Sequence, residues 1–259
     1  HAIAGIRRAK VKNNTVISTN KTIDCNKFIA YFQSYTNTYA PLDYLKPLFT
    51  EAISHPDVVA LSIGTRPDCL PEDVLDFLEE LNRIKPVFVE LGLQTIHEKT
   101  AQFIRRGYPL SVFDKAVDEL QKRDILCVVH TILGLPFETR EDILATMSYL
   151  AKLPIHGIKL QLLHVLKGTD LADHLGEFHI YTMEEYTDLL IECLEILPQD
   201  IVIHRITGDG PKSLLLEPAW SAHKKKVMNY INKTLKERDT WQGRRYEPSD
   251  KFKSRLRSI

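Results

Sequence analysis

Polar residues that can donate or accept hydrogen bonds follow six short apolar runs in this sequence. Ligands of parallel α/β folds bind beyond the carboxyl ends of the strands, so these segments are the first place to look for chemistry. The six segments are residues 33–39, 64–68, 92–97, 130–136, 162–169 and 204–211. Their common position predicts that they meet on one rim and together form a ligand site.

Several of these segments also have a plain structural interpretation. Asn37 and Thr38 can cap a following helix, and Arg66 can pair with Asp68 at the surface. An arginine at a strand end can equally bind a carboxylate or a phosphate through two hydrogen bonds. The residues alone leave both interpretations open.

Common hydrolase and nucleotide-binding motifs are missing from the sequence. It contains no GxSxG elbow, no HExxH pair, no GxxxxGK[ST] phosphate loop and no GxGxxG fingerprint. His130, His164 and His204 stand at successive predicted strand ends, but no ligand spacing supports a zinc site there. The sequence therefore makes no case for a hydrolase.

The four cysteines, Cys25, Cys69, Cys127 and Cys193, lie far apart and form no CxxC pair. Reduced thiols are the plain interpretation, and they predict a cytoplasmic protein. Cys127 and Cys193 stand inside apolar runs, so we expect both to be small core residues.

Short apolar runs alternate with amphipathic stretches from residue 28 onward. The predicted strands are 28–32, 58–63, 87–91, 126–131, 157–162 and 201–203. The predicted helices are 42–54, 71–82, 111–123, 140–152, 183–196 and 221–238, and Ser111 and Thr139 carry capping signals. This alternation predicts βαβ units with parallel strands, arranged as a partial barrel or as a doubly wound sheet.

Charge and hydropathy restrict the class of protein. Hydrophobic residues make up 44% of the 259, and 34 basic residues balance 34 acidic ones. The net charge of zero excludes a whole-protein basic field for nucleic acid. No apolar run approaches the roughly 18 residues that a membrane span needs, and no signal-peptide pattern opens the chain. We therefore expect no membrane partner.

Three regions are predicted. Residues 1–27 are polar and weakly patterned, residues 28–210 form the α/β body, and residues 211–259 form a helical extension with a basic tail. The basic segments 223–226 and 244–245 are compatible with RNA binding, although a solvated lysine-rich helix face explains the first equally simply.

Several long segments resemble radical S-adenosylmethionine (SAM) enzymes. The run VELGLQTIHEKTAQFIRRGYPLSVFDKAVDELQKRDI resembles their fourth-strand region, and HTILGLPFET resembles the next strand with its glycine turn. The segments FQSYTNTYAPL, SIGTRPDCLP, LLHVLKGT, HRITGDGP and RDTWQG resemble one uncharacterised bacterial group that is described as Elongator-like. The resemblance implies an α/β fold, namely a partial (β/α)6 TIM-like barrel of the radical SAM type with parallel strands and outer helices.

The resemblance implies roles at the methionyl end of SAM. Residues 33–38 occupy the place of a Gly-Gly-Glu-like segment that receives the methionine amino group. We choose Thr36 and Asn37 for that role, with Gln33 as a further SAM-binding candidate in the segment. Arg66 would face the carboxylate or the ribose. Many relatives carry an acidic residue where this chain has Gly64, so that ribose contact is not carried over.

The resemblance also implies roles at the nucleoside end of SAM. Gln94 and His130 would reach the ribose. The adenine would be bracketed by Ile132, Leu133, Gly134 and the backbone near His164. An apolar slot with backbone hydrogen bonds suits adenine, as polar donors and acceptors suit the charged methionyl end.

One departure concerns the [4Fe–4S] cluster that the family implies. Its CxxxCxxC loop should lie upstream of Phe28, and this sequence does not contain it. Cys25 is the one cysteine near that position, and it cannot supply the three thiolates that leave a fourth iron site for SAM. We expect the cluster cysteines further upstream, and we expect this chain to be inactive without them.

The implied activity is reductive cleavage of SAM to a 5′-deoxyadenosyl radical that acts on an unidentified substrate. The implied partners are SAM, an electron donor such as flavodoxin or ferredoxin, and, through the Elongator-like kinship, RNA. One alternative is a cluster-less module that binds SAM or another protein. A second is an ordinary TIM-barrel lyase or aldolase, although such enzymes usually keep a strand-end lysine or carboxylates that are not found here.

Overall fold

A computed structural model describes residues 27–208 and 210–247. The predictions for residues 1–26, including the one for Cys25, and for the basic tail after residue 247 lie outside the described residues. In the described part of the chain, no helix is both long and apolar enough to cross a bilayer.

Six strands form one sheet, in the order β1-β2-β3-β4-β5-β7. They are β1 (Phe28–Phe32), β2 (Val58–Thr65), β3 (Val87–Gln94), β4 (Leu126–Leu133), β5 (Gly157–Leu162) and β7 (Val202–Arg205). The β1–β2, β2–β3 and β5–β7 pairs are parallel. Their order follows the chain, whereas a doubly wound sheet reverses direction at a switch point. The second of the two predicted sheet arrangements is therefore wrong.

The helices agree closely with the amphipathic stretches. They are α1 (Leu42–Ser54), α2 (Glu72–Asn82), α3 (Glu98–Phe103), α4 (Leu110–Lys122), α5 (Arg140–Leu150), α6 (Asp170–Asp173), α7 (Met183–Ile196) and α8 (Lys224–Glu237). The short helices α3 and α6 were not predicted. Neither was the antiparallel pair of β6 (Val165–Leu166) with β8 (Leu215–Glu217).

Helix capping confirms one prediction and corrects another. Thr139 forms a capping box with Asp142 at the start of α5, as predicted. The same arrangement joins Thr182 and Glu185 at the start of α7. Ser111 is not a cap, because α4 already begins at Leu110 behind Pro109, whose fixed φ suits a helix start.

The chain divides into two compact units. The first comprises the described residues up to Gly92 together with Tyr108–Val128. In its core, the buried face of α1 contributes Phe49, which packs against Phe32 at 4.9 Å and against Phe77 of α2 at 6.5 Å between ring centroids. Leu61 and Ile63 of β2 are fully buried.

The second unit comprises Leu93–Gly107 and the described residues from Val129 onward. Helix α7 is its main core element, with seven buried residues that include Tyr186, and it contacts α5 and α8. The Tyr186 hydroxyl donates to the carbonyl of Ile206 at 3.0 Å. This bond fixes the segment that follows β7.

Candidate functional site

The loop after β1, in the first unit, is tied to the end of β2. The side-chain amide of Asn37 donates to the carbonyl oxygens of Gly64 at 2.7 Å and Phe32 at 3.0 Å. Thr38 is buried and bonds to Thr65 and to the carbonyl of Cys69. Asn37 and Thr38 therefore shape the loop, and neither caps α1, whose N-cap is Pro41.

Gln33 and Thr36 lie in the same loop, and their side chains are not used in the bonds that anchor it at Asn37. Gln33 is exposed and Thr36 is half-buried. The loop is held at Asn37 by two bonds to backbone carbonyls, so its exposed part is presented from a fixed base. Of the three SAM-binding candidates in this loop, Gln33 and Thr36 are thus more accessible to a ligand than the amide nitrogen of Asn37.

Arg66 follows β2 and makes a bidentate ion pair with Asp68. Its Nε lies 2.9 Å from Oδ1 and its Nη2 2.7 Å from Oδ2, and the guanidinium stacks 5.3 Å from the centroid of Tyr108. The hydrogen bonds to Asp68 raise the pKa of Arg66, and those from Arg66 lower the pKa of Asp68. A ligand carboxylate would have to displace Asp68 to bind Arg66 with the same geometry.

A hydrogen-bond network that the sequence did not predict joins strands β1, β2 and β3 in the first unit. The hydroxyls of Tyr31 and Ser62 donate to the two carboxylate oxygens of Glu90, at 2.8 Å and 2.7 Å. Glu90 is only 5% exposed. Each strand contributes one of these side chains, and the carboxylate of Glu90 within an apolar strand is the signal that could have revealed the network.

Gln94, in the second unit, ends β3 in an unusual conformation. Its φ is +68°, in the left-handed region, and Thr95 N donates to Leu93 O across it at 2.9 Å. Its side-chain oxygen Oε1 is buried and has no hydrogen-bond partner among the described residues. A strained residue with an unsatisfied buried acceptor is often a ligand-binding residue.

The buried side chain of Arg106 hydrogen-bonds the backbone of the turn at Gln94. Its Nη1 donates to the carbonyl of Thr95 at 2.6 Å, and its Nη2 pairs with Glu98 at 2.8 Å. The Arg106 side chain is only 2% exposed. Sequence reasoning missed this residue, because an arginine in a helix-to-loop segment does not by itself indicate burial.

A second buried carboxyl, Glu138, joins the turn after β3 to the loop after β4. Burial raises its pKa, and hydrogen bonds with the side chains of Thr95 and Thr100 partly offset the rise. One of its oxygens, Oε1, has no hydrogen-bond partner within the part of the chain that the structure describes. Glu138 was not among the predicted site residues.

The residues assigned to the nucleoside lie along β4 and the turn after it. His130 and Ile132 are half-buried and Leu133 is buried. Gly134 has a φ of +87°, and a Cβ there would lie 3.1 Å from the ring of Tyr181. A glycine is therefore required at this turn, both for the left-handed backbone and for the close approach. The contact from Gln161 to His130 is long, at 3.5 Å.

His164 is enclosed by the segment after β7. The Gly210 amide donates to its Nδ1 at 3.2 Å, and a Cβ on Gly208 would lie 2.3 Å from its Nε2. The Leu163 amide donates to Leu133 O at 3.0 Å, which places the backbone near His164 beside the end of β4. In the second unit, the predicted adenine-side residues thus lie on adjoining segments.

The described cysteines do not form a cluster site. Cys127 and Cys193 are completely buried, as predicted, and burial raises the pKa of the Cys127 thiol to about 12. Cys69 is half-buried. No group of three or more histidine, cysteine or acidic side chains that could hold a metal ion occurs among the described residues.

Comparison with protein families decides the class. The model of the Radical SAM superfamily matches residues 11–150, and the model of the Radical_SAM C-terminal domain matches residues 155–237. The chain belongs to the radical SAM superfamily. This membership favours the radical SAM interpretation over an ordinary TIM-barrel lyase or aldolase.

Curated relatives match most of the chain. The uncharacterised protein YtqA of Bacillus subtilis is 44% identical over 223 residues, which are 85% of this chain and 69% of YtqA. A tRNA uridine(34) acetyltransferase of Methanocaldococcus jannaschii is 27% identical over 164 residues, which are 61% of this chain and 30% of that protein. The predicted kinship with an Elongator-like radical SAM group is confirmed.

A solved structure supports the fold. The archaeal Methanocaldococcus infernus Elp3 with an N-terminal deletion superposes with a TM-score of 0.69 at 20% identity, over 81% of this chain and 55% of that chain. The predicted fold class, a partial barrel of six parallel strands with outer helices, is confirmed.

Proposed function

We propose that this chain is the SAM-binding barrel of a radical SAM enzyme. Membership of the superfamily supports the class of reaction, and the unpaired, buried Oε1 of Gln94 is the observation that carries the site. In this class, SAM bound at a [4Fe–4S] cluster supplies on one-electron reduction the 5′-deoxyadenosyl radical that abstracts hydrogen from a substrate.

The described residues fit the SAM part of this proposal. Gln94 Oε1 can accept a hydrogen bond from a ribose hydroxyl, and half-buried His130 is the second residue proposed to contact the ribose. In this proposal the side chain of Ile132 and the backbone at Leu133 and Gly134 would contact the adenine, because neighbouring side chains of a strand point to opposite faces of the sheet. Their role is to bind and orient the nucleoside and to exclude water from it.

Gln33, Thr36 and Arg66 keep their proposed roles at the methionyl end of SAM. Gln33 and Thr36 lie in the loop that Asn37 anchors, and they can hydrogen-bond a methionine amino or carboxylate group. Arg66 is bonded to Asp68 in the structure. We propose that it releases Asp68 when SAM binds and then binds the methionine carboxylate.

The described residues do not fit the cluster. Two of the three described cysteines are completely buried, and Cys69 is alone. The cluster would have to be held by cysteines upstream of Phe28, and an electron donor such as a flavodoxin or ferredoxin would reduce it. We derive no catalytic step through the cluster from these residues.

We propose RNA as the class of substrate, and the match to a tRNA uridine(34) acetyltransferase supports this proposal. The exposed lysines at the start of α8, Lys225 and Lys226, are compatible with phosphate contacts.

Anaerobic reconstitution with iron and sulfide tests the proposal. The full-length protein should gain the absorption of a [4Fe–4S] cluster and release 5′-deoxyadenosine when it is given SAM and a reductant. Gln94→Ala should slow this release about tenfold or more, because it removes a contact to the ribose. Gln102→Ala, on the exposed side of α3, is the matched control and should behave as the wild type.

Two results would count against the proposal. A full-length protein that binds no cluster but still binds SAM would be a cluster-less SAM-binding module. A protein that binds neither would not use this site for SAM at all.

A further inference from the structure

The backbone at Gln94 has to be held in its conformation by the residues around it. Its φ of +68° lies in the left-handed region, which a residue other than glycine keeps only where its surroundings enforce it. Its two neighbours in the chain, Leu93 and Thr95, are almost completely buried. The contacts of these neighbours therefore fix the backbone at Gln94, and that backbone limits the positions that the Gln94 side chain can take.

Thr95 is anchored through both its backbone and its side chain. Its amide donates to Leu93 O at 2.9 Å, and its hydroxyl oxygen accepts from the His97 amide at 3.0 Å. Its carbonyl accepts from Nη1 of Arg106 at 2.6 Å. The first two bonds join residues two positions apart, whereas the third comes from eleven positions further along the chain. Arg106 thus ties the turn to the segment that follows α3.

The guanidinium of Arg106 holds the turn and the start of α3 together. While Nη1 donates to Thr95, Nη2 pairs with Glu98, the first residue of α3, at 2.8 Å. The backbone amide of Arg106 donates to Ala101 O at 2.9 Å, so its own position is tied to the same helix. A planar guanidinium fixes the directions of both side-chain bonds, which the single ammonium of a lysine cannot do.

The burial of Arg106 indicates a purpose other than stability. Its side chain is 2% exposed and that of Glu98 is 48% exposed, so the arginine bears most of the cost of leaving water. This cost can exceed the attraction between the two charges, and apolar side chains of similar volume often stabilise a fold equally well. A buried, hydrogen-bonded cation is better suited to keeping one conformation of the turn.

We propose that Arg106 is a positioning residue for SAM. It holds Thr95, and through Thr95 it keeps the side chain of Gln94 where the buried oxygen Oε1 has no partner in the described part of the chain and can accept from the ribose. Arg106 acts through Gln94 and needs no contact of its own with SAM. This inference rests on the proposed function, because it concerns the same SAM site.

A double-mutant cycle on the reconstituted full-length protein tests the inference, with equilibrium dialysis of labelled SAM as the measurement. Arg106→Lys keeps the charge but loses the two-pronged geometry, and we expect it to weaken SAM binding about fivefold. In the Gln94→Ala background the same change should alter SAM binding less than about twofold, because the side chain that Arg106 positions is already missing. A general structural role would give the same loss in both backgrounds.

The neighbouring arginine provides a matched control. Arg105 has a side chain that is 79% exposed and pairs with Asp170 at 2.6 Å. Arg105→Lys should bind SAM as the wild type does. Glu98→Gln removes the charge that orients Arg106, and we expect it to weaken SAM binding in the same direction as Arg106→Lys, again only where Gln94 is present.

Circular dichroism and cooperative unfolding should first show that each variant is folded, and Glu98→Gln decides the question if Arg106→Lys does not fold. A wild-type protein that binds no SAM would overturn the proposed function and this inference with it. If Gln94→Ala weakens SAM binding but folded Arg106→Lys and Glu98→Gln variants bind as the wild type does, this inference alone is overturned. Equal losses in both backgrounds would also overturn it.

Discussion

The backbone of Gly208 packs so closely against the imidazole of His164 that there is no room for a side chain at residue 208. A Cβ on Gly208 would lie 2.3 Å from Nε2 and 2.4 Å from Cε1 of His164. Real Cβ contacts do not reach such distances, so either the ring or the segment after β7 would have to move. The glycine therefore determines where the imidazole of His164 lies.

Gly208→Ala should lower the free energy of unfolding by about 1–3 kcal/mol, the usual cost of overpacking a well-packed site. Chemical denaturation measures this loss. The double variant His164→Ala/Gly208→Ala should lose less than the sum of the two single variants, because the clash is then gone. Strict additivity would show that the two residues do not touch.

Glu138 is a buried carboxyl whose pKa is raised, chiefly because burial disfavours its charged form. The folded state therefore favours the protonated carboxyl more strongly than the unfolded state does. The contribution of this group to stability is complete below the ordinary Glu pKa of 4.5 and is lost as the pH rises through the raised value.

The variant Glu138→Gln cannot ionise and should not show this loss. We expect the difference in unfolding free energy, wild type minus Glu138→Gln, to fall steadily as the pH rises above 4.5. Denaturant titrations at several pH values measure it. Glu80→Gln, on the exposed side of α2, is the control. A difference that is independent of pH would mean that Glu138 titrates alike in both states.

At the scale of elements, side-chain caps distinguish α5 and α7 from α1, α2 and α4. The first two begin with a threonine in a capping box. The other three begin behind a proline without a side-chain cap. The threonine caps satisfy backbone amides that would otherwise have no partner, so they stabilise the two helices individually.

Thr139→Ala should cost about 1 kcal/mol of stability, because it removes the oxygen that accepts from the Asp142 amide. Thermal or denaturant unfolding measures the change. Thr50→Ala, at an exposed position within α1, should be neutral or slightly stabilising, since alanine is the better helix former there. Equal losses in both variants would contradict a specific role for the cap.

Element types could be predicted from the sequence, but some element ends could not. The helices at Leu42–Ser54 and Met183–Ile196 match the amphipathic stretches residue for residue. Strands β2, β3 and β4 extend two or three residues beyond the predicted ends, and Gly64 and Gly92 lie inside the extensions. Glycines look like turn residues, yet strand pairing can override that preference.

At the scale of the whole molecule, the sequence predicts where ligand-binding residues should lie, but it does not predict the long-range hydrogen bonds around them. The positions of Gln94, His130 and Gly134 follow from strand ends and from a family resemblance. The bond between Tyr31 and Glu90 joins residues 59 positions apart, and no local pattern specifies it. The pairing of Arg66 with Asp68 was the plain structural interpretation, and it is the one that the structure shows.

The central claim is that Gln94 binds SAM through a carbonyl oxygen that has no other hydrogen-bond partner among the described residues. Equilibrium dialysis of labelled SAM against the reconstituted full-length protein tests it most directly. We predict that Gln94→Ala weakens binding about tenfold, whereas Gln102→Ala binds as the wild type does. Unchanged binding by a folded Gln94→Ala variant would contradict the claim.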